Sequence, residues 1–337
     1  MSENNFQLYS GAGDRATLES RNLRLPMFER PESLDDPAGY IAEKGLRDAV
    51  NVALALGQPL LLTGDPGTGK TQLAASLAYE LSLPAPLVFN VKTTSGARDL
   101  FYRYDALGHF HDAQPQFGKP QLEIENYISY EAFGLAVLLS KEPREADSFL
   151  PANLRGKGPT RSVVLIDEID KAPRDLPNDV LNEIESMSFT VKETGRSFES
   201  DQRYRPILVL TSNSEKNLPD AFLRRCVFYH ISFPGPERLK QIVERRVSLS
   251  SNFTPAMLDH AVRRFEEIRN LDLRKKPATA EFLDWVRVLN RMEIDVNDLK
   301  PGQAEALAFS YATLVKTKDD FEKLQKRLSD STSVLSK

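Results

Sequence analysis

The sequence predicts an α/β fold, a parallel sheet flanked by helices, followed by a small all-helical domain. Three observations carry that expectation. Short apolar runs of strand length alternate with helical patterns as far as residue 233, a glycine-rich loop follows the first of those runs, and beyond the Pro234-Gly235-Pro236 break only helical patterns remain.

Residues 1–37 are polar, punctuated by Pro and Gly, and include the acidic pair Asp35-Asp36, which marks an arm rather than a packed element. Tyr40, Ile41, Leu46, Val50, Val52, Ala53 and Leu54 then predict a helix leading into the strand Pro59-Leu60-Leu61-Leu62-Thr63. An amphipathic stretch, Thr71 to Leu81, follows. Strands are expected over Leu87 to Val91, Val163 to Asp167 and Ile207 to Thr211, with an extended segment from Val227 to Phe233. Helices are expected over Ala132 to Leu139 and Pro177 to Met187. Behind the proline break, helices are expected over Glu237 to Val247, Pro255 to Ile268, Ala280 to Met292 and Glu305 to Leu328. Two stretches exceed what strand–helix alternation needs, one near 94–128 and one near 189–204, the second patterned as a hairpin.

The glycine-rich loop is Gly64-Asp65-Pro66-Gly67-Thr68-Gly69-Lys70-Thr71, a match to G-x-x-x-x-G-K-[ST] between a strand and a helix. Glycines at 64, 67 and 69 let the backbone curl so that successive N–H groups point at phosphates, with the N-terminus of the following helix behind them. Lys70 supplies a point charge to the outer phosphates and Thr71 an oxygen for Mg²⁺, and Gln72, next on the first helical turn, completes the nucleotide-binding set expected from Gly64 onward. The loop therefore predicts a nucleotide domain over 38–235 and a helical lid over 236–337.

Composition narrows the class. With 337 residues and 41% hydrophobic content the chain can bury a full core, and its length suggests two domains. A net charge of −4 advertises no nucleic-acid or lipid surface, so nucleic acid is not the expected partner. A lone Cys226 excludes an intramolecular disulfide and fits a reducing compartment. The N-terminus has no secretory pattern and no run is long enough to insert in a membrane, so a soluble cytoplasmic protein is expected.

Two further strand ends complete the chemistry. Val163-Val164-Leu165-Ile166-Asp167-Glu168 delivers two acids to the carboxyl edge of a buried strand, where Asp167 can hold Mg²⁺ and Glu168 can deprotonate the attacking water. Ile207 to Asn213 delivers an amide, and Asn213 can reach the γ-phosphate or the water without bringing negative charge near them. His109-Phe110-His111-Asp112 has too few neighbouring ligands for a metal site and is expected as an exposed insertion loop.

Phosphate loop, Asp-Glu strand end, Asn at the next strand end and the segment Leu218 to Cys226 together resemble the AAA+ ATPases. The resemblance spans residues 38–325. It implies Mg²⁺-dependent ATP hydrolysis in a ring, a hexamer, where an arginine acts in trans on the neighbour's γ-phosphate. Arg225 matches best and Arg224 is the alternative. The family's second sensor arginine has no obvious counterpart, and Arg274, Lys275 and Lys276 lie just before Pro277 instead.

The two insertions, with Arg98 to Leu107 and Lys276 to Trp285, resemble the MoxR-like branch that works with von Willebrand factor A proteins. That branch implies remodelling or activation of a protein partner with a metal-ion-dependent adhesion site. Two other classes stay open: a nucleotide-gated recruitment switch, and an NTP-driven motor subunit acting on nucleic acid. The phosphate loop reads phosphates only, so adenine over guanine is an expectation of the resemblance.

Overall fold

The structure, a computed structural model, describes residues 36–112, 123–213 and 218–335. The chain divides into two compact units. One is Tyr40–Ser232, and the other is Phe233–Lys337 with the segment ending at Gly39. The expected arm lies outside the described residues apart from its last two, Asp36 and Pro37.

In the first unit, strands β1 (Leu60–Gly64), β2 (Leu87–Asn90), β3 (Tyr102–Tyr104), β4 (Ile128–Tyr130), β5 (Val163–Asp167), β6 (Ser188–Val191), β7 (Arg196–Glu199), β8 (Ile207–Thr211) and β9 (Val227–Ile231) follow in chain order. Five of them form one parallel sheet in the order β2-β5-β8-β1-β9. The chain therefore leaves β1, crosses two positions to the β2 edge and works its way back, so β8 settles between β5 and β1. All five residues of β1 are buried, as are four of five in β5 and in β8. That is why these strands read as unbroken apolar runs rather than alternating ones: in a parallel sheet both faces are covered.

Alternation reappears in what each residue packs against. Leu61, Val164, Ile166, Leu208 and Leu210 join the helix Ala132–Leu139 in one core cluster. Leu60, Leu62, Val163, Leu165 and Val209 join Leu73, Ala74 and Leu77 of the helix Lys70–Glu80 in another. Each such leucine, fully withdrawn from water, contributes about 1.5–3 kcal/mol.

Both extra stretches form small ladders of their own. β3 pairs antiparallel with β4, and β6 with β7. The expected loop around His109 and His111 is partly the helix Ala106–Asp112; residues 113–122 lie outside the described residues. The two insertions are bonded to each other. The Tyr102 hydroxyl donates to Glu193 Oε2 at 2.8 Å and accepts from the Lys192 N–H at 2.9 Å, while Arg98 pairs with Glu193 at 3.1 Å. Phe189 stacks on Phe101 with ring centroids 5.2 Å apart, a separation typical of favourable aromatic pairs.

The structure corrects two helix expectations. Pro177 to Met187 is not continuous: Leu176–Asp179 and Leu181–Ser186 meet at Val180, whose φ of −103° and ψ of 3° leave the helical region. The jog still lets Leu176, Val180 and Ile184 bury on one side.

In the second unit, helices Pro236–Arg246, Pro255–Arg269 and Thr279–Met292 start and stop within a residue or two of expectation. Here the long final helix breaks into Gln303–Ser310, a 3₁₀ turn Tyr311–Thr313 and Lys318–Leu335. Ser310 accepts the indole N–H of the buried Trp285 at 2.8 Å and donates to the Leu307 carbonyl at 2.7 Å. Thr317 then restarts the helix by accepting the Asp320 N–H at 3.2 Å. Around Trp285 the rings of Phe265, Phe282 and Tyr311 fill this unit's core.

Candidate nucleotide site

Three adjacent strand ends build the site. The carboxyl ends of β5, β8 and β1 lie side by side, at the place where the chain's crossover leaves a crevice.

From β1, Gly64 turns with φ +142°, and a Cβ there would come within 2.4 Å of the Ile231 carbonyl oxygen. No other residue fits. Gly69, at φ +88°, caps the helix Lys70–Glu80 and presents its first N–H groups to the loop. Asp65, Pro66 and Gly67 line the loop ahead of it, and Thr71 and Gln72 are exposed on the first helical turn. Thr68 braces the loop from inside, its hydroxyl donating to the Asp65 carbonyl at 2.8 Å.

Lys70 is buried with 8% exposure. Its Nζ donates to the carbonyls of Gly64 at 2.6 Å and Asp65 at 3.0 Å, and to Asn213 Oδ1 at 3.0 Å. Burial pulls its pKa below that of an ordinary lysine, against the opposing pull of Asp167, Asp170, Asp65 and Glu168. The Asn213 side chain from β8 therefore reaches the phosphate-loop lysine from β1, a contact between residues 143 apart in the chain.

From β5 come the two acids. Asp167 Oδ1 accepts the Thr71 hydroxyl at 3.0 Å and the Thr211 hydroxyl at 2.5 Å. Thr71 and Asp167 thus offer a hydroxyl and a carboxylate side by side, the hard oxygen donors that a divalent cation such as Mg²⁺ takes. Glu168 follows in the left-handed region, φ +58° and ψ +50°, a conformation that costs a non-glycine residue about 1 kcal/mol. Such strain collects at functional sites, held there by the surrounding structure. Its carboxylate pairs with Lys171, whose pKa rises through that bond.

Two residues here do not stand out in the sequence. Thr211, the last residue of β8, donates to Asp167 and accepts the Glu168 N–H at 2.9 Å. Asp170 accepts the Asn213 N–H at 3.2 Å. A positional signal exists for both: Thr211 ends an apolar strand two positions before Asn213, and Asp170 lies three after Asp167.

The arginine pair lies beyond the helix Asp220–Leu223. Arg225 Nε donates to Glu185 Oε1 at 2.5 Å and Nη1 to the Ala221 carbonyl at 3.1 Å, whereas Arg224 is exposed. Next to them, burial pushes the Cys226 thiol up to about 12, so it stays protonated and unreactive at neutral pH. His109 is bonded to the Tyr104 hydroxyl, and no group of three potential metal ligands of the His, Cys, Asp and Glu types exists among the described residues.

A glycine-cradled loop between a buried strand and a helix, with acids and an amide at the two neighbouring strand ends, defines a P-loop nucleotide-binding protein. Residues 60–234, more than half of the chain, match the ATPase family associated with various cellular activities (AAA), and the chain belongs to that family.

Two curated relatives share parts of the sequence. One is RuvB-like helicase 1 of Drosophila pseudoobscura pseudoobscura, 36% identical over 79 residues that make up 21% of this chain and 17% of that one. The other is the Holliday junction branch migration complex subunit RuvB of Corynebacterium diphtheriae (strain ATCC 700971 / NCTC 13129 / Biotype gravis), 30% identical over 144 residues, 38% of this chain and 37% of that one. The matched region thus spans well under two thirds of either relative. A solved AAA domain of FIGL-1 in complex with ADP aligns over 87% of each chain at 17% identity with a TM-score of 0.43. No helix among the described residues is long and apolar enough to cross a membrane.

Proposed function

We propose that this ATPase is a MoxR-like ring, a hexamer of identical chains, that hydrolyses ATP with Mg²⁺ to remodel or activate a von Willebrand factor A protein. The observation that carries the branch assignment is the pair of insertions, the β3–β4 ladder and the β6–β7 hairpin, joined through Tyr102 and Glu193. The two insertions are bonded to each other and share one core cluster with the central sheet, so a client that engages them would be coupled to the nucleotide domain.

At the nucleotide, the loop N–H groups and the Lys70 ammonium bind the phosphates. Lys70 is held by two carbonyls and one amide, all neutral, so a phosphate oxygen competes with them on favourable terms. Thr71 and Asp167 would hold Mg²⁺, which when bound neutralises charge on the phosphates. Glu168 takes the proton of the attacking water, for which its carboxylate leaves Lys171. Both partners are solvent-exposed, so that exchange costs little. Asn213, between Lys70 and Asp170, orients the water or the γ-phosphate. Arg225 serves the neighbouring subunit's γ-phosphate.

The test is to purify the native complex of the Glu168→Gln protein, arrested with ATP, and identify what is bound. Recovery of a von Willebrand factor A protein whose addition stimulates wild-type turnover supports the proposal. Recovery of that protein with no effect on turnover points to a recruitment switch. A second reading, a motor subunit on nucleic acid, is favoured by the names of the two RuvB-type relatives. Stimulation by DNA, with no protein client recovered, selects it.

A further inference from the structure

We infer that Thr211 is a positioning residue for ATP hydrolysis, holding Asp167 and Glu168 in working order through a single hydroxyl. The inference rests on the roles proposed above for those two acids.

Asp167 and Glu168 are neighbours in sequence but must do different things, one facing a cation and the other a water. The left-handed turn at Glu168 separates them. A lone turn of that kind is unfavourable and needs a partner to fix it. Thr211 supplies one from the adjacent strand. Its side chain is 1% exposed, and its hydroxyl uses both of its capacities at once, donating to Asp167 Oδ1 at 2.5 Å and accepting the Glu168 N–H at 2.9 Å. With Thr71 donating to the same Oδ1 at 3.0 Å, the carboxylate is held from two sides. Thr211 is placed to touch neither nucleotide nor water; it acts through the acids. Partners of metal ligands in this position typically change metal affinity or activity by about 10–100-fold when removed.

The experiment compares full-length Thr211→Ser, Thr211→Ala and Thr211→Val. It measures kcat, the Mg²⁺ concentration for half-maximal turnover, and the Mg²⁺-dependent part of the binding of a fluorescent ATP analogue. Ser keeps the hydroxyl and is expected within about threefold of wild type on all three readouts, whereas Ala and Val are expected to lose about 10–100-fold in kcat and to weaken the Mg²⁺ dependence of binding. Wild-type Mg²⁺ dependence in Ala overturns the inference, and so does a Ser variant as impaired as Ala. Should Ala and Val fail to fold, Thr211→Cys, similar in size with a weak donor, must show the same Mg²⁺ shift or the inference fails. Lys70→Ala runs alongside: normal analogue binding there refutes the site itself, while a normal Thr211→Ala refutes only the role of Thr211.

Discussion

Lys70 and Arg225 are both cations held by oxygen atoms of their own chain, and they are held in opposite ways. Lys70 is buried, with a strand-end carbonyl, a loop carbonyl and an amide as partners, all neutral. Arg225 is more than a third exposed and is paired with a carboxylate, Glu185, that is itself half exposed. A buried ammonium hydrogen-bonded to neutral dipoles, with carboxylates acting on it only through space, can take an anion as a direct partner. An exposed ion pair is already satisfied but weakly, worth about 0.2–1 kcal/mol in water. The first arrangement is complete within one chain; the second, in the function proposed, exchanges its partner for a phosphate presented by another.

The largest effect should come from breaking the complete side of that comparison. Lys70→Ala removes the ammonium held between the ends of β1 and β8, and ATP affinity should fall by about 10–100-fold, the worth of a charge-assisted bond, with turnover lost. Titration of a fluorescent ATP analogue checks it. Glu168→Gln should leave that affinity within about threefold while turnover drops by about 10²–10⁴, the contribution of a general base. Equal loss of affinity in both variants would remove Glu168 from its role.

The exchangeable side gives the sharper test. Arg225→Ala should retain ATP binding and lose turnover on the order of 10³. Mixed with Lys70→Ala protein, it should regain partial activity, because some interfaces then join an intact loop to an intact arginine. If co-assembled rings recover nothing while Arg224→Ala alone reproduces the defect, the assignment moves to Arg224.

Two smaller effects refine the contrast between buried and exposed charge. Lys171→Ala breaks the exposed pair with Glu168, and steady-state turnover should stay within about threefold of wild type, as expected for a surface bridge. Asp320 is buried, and burial alone would raise its carboxyl. The N–H groups of Arg274 and Lys275 with the Thr317 hydroxyl overcome that and hold its pKa below the ordinary value. Its folded-state pKa is depressed, so the stability it contributes is full above the unfolded value of about 3.9 and is lost as pH falls through the folded one. Thermal midpoints of Asp320→Asn and wild type should therefore differ at pH 7 and converge in acid.

Much of the fold is legible in the chain because it follows from local chemistry. The phosphate loop is contiguous, its glycines answer to local backbone geometry, and the strands β1, β5 and β8 declare themselves because a parallel sheet buries both faces. Helix ends in the second unit are readable for the same reason, from local signals such as Pro at the first turn and the proline break before residue 236. Local patterns mislead where a distant group overrides them. Apolar spacing from Glu305 to Leu328 continues as though one helix ran through, yet Ser310 is committed to the Trp285 indole and Thr317 caps a new start.

The site divides along the same line. Sequence alone singled out the residues proposed to carry the chemistry: Lys70, Thr71, Asp167, Glu168 and Asn213 each lie at or beyond the end of a recognisable strand. Only the tertiary structure decided who meets whom. The strand order inserts β8 between β5 and β1, and so brings Asn213 to Lys70 and Thr211 to Asp167 and Glu168. It also ties Tyr102 to Glu193 across 91 residues and Arg225 to Glu185 across 40. The physical reason is that a period or a motif reports the backbone a residue prefers locally, whereas a hydrogen bond between distant residues exists only once sheet register has fixed the ends of both strands in space.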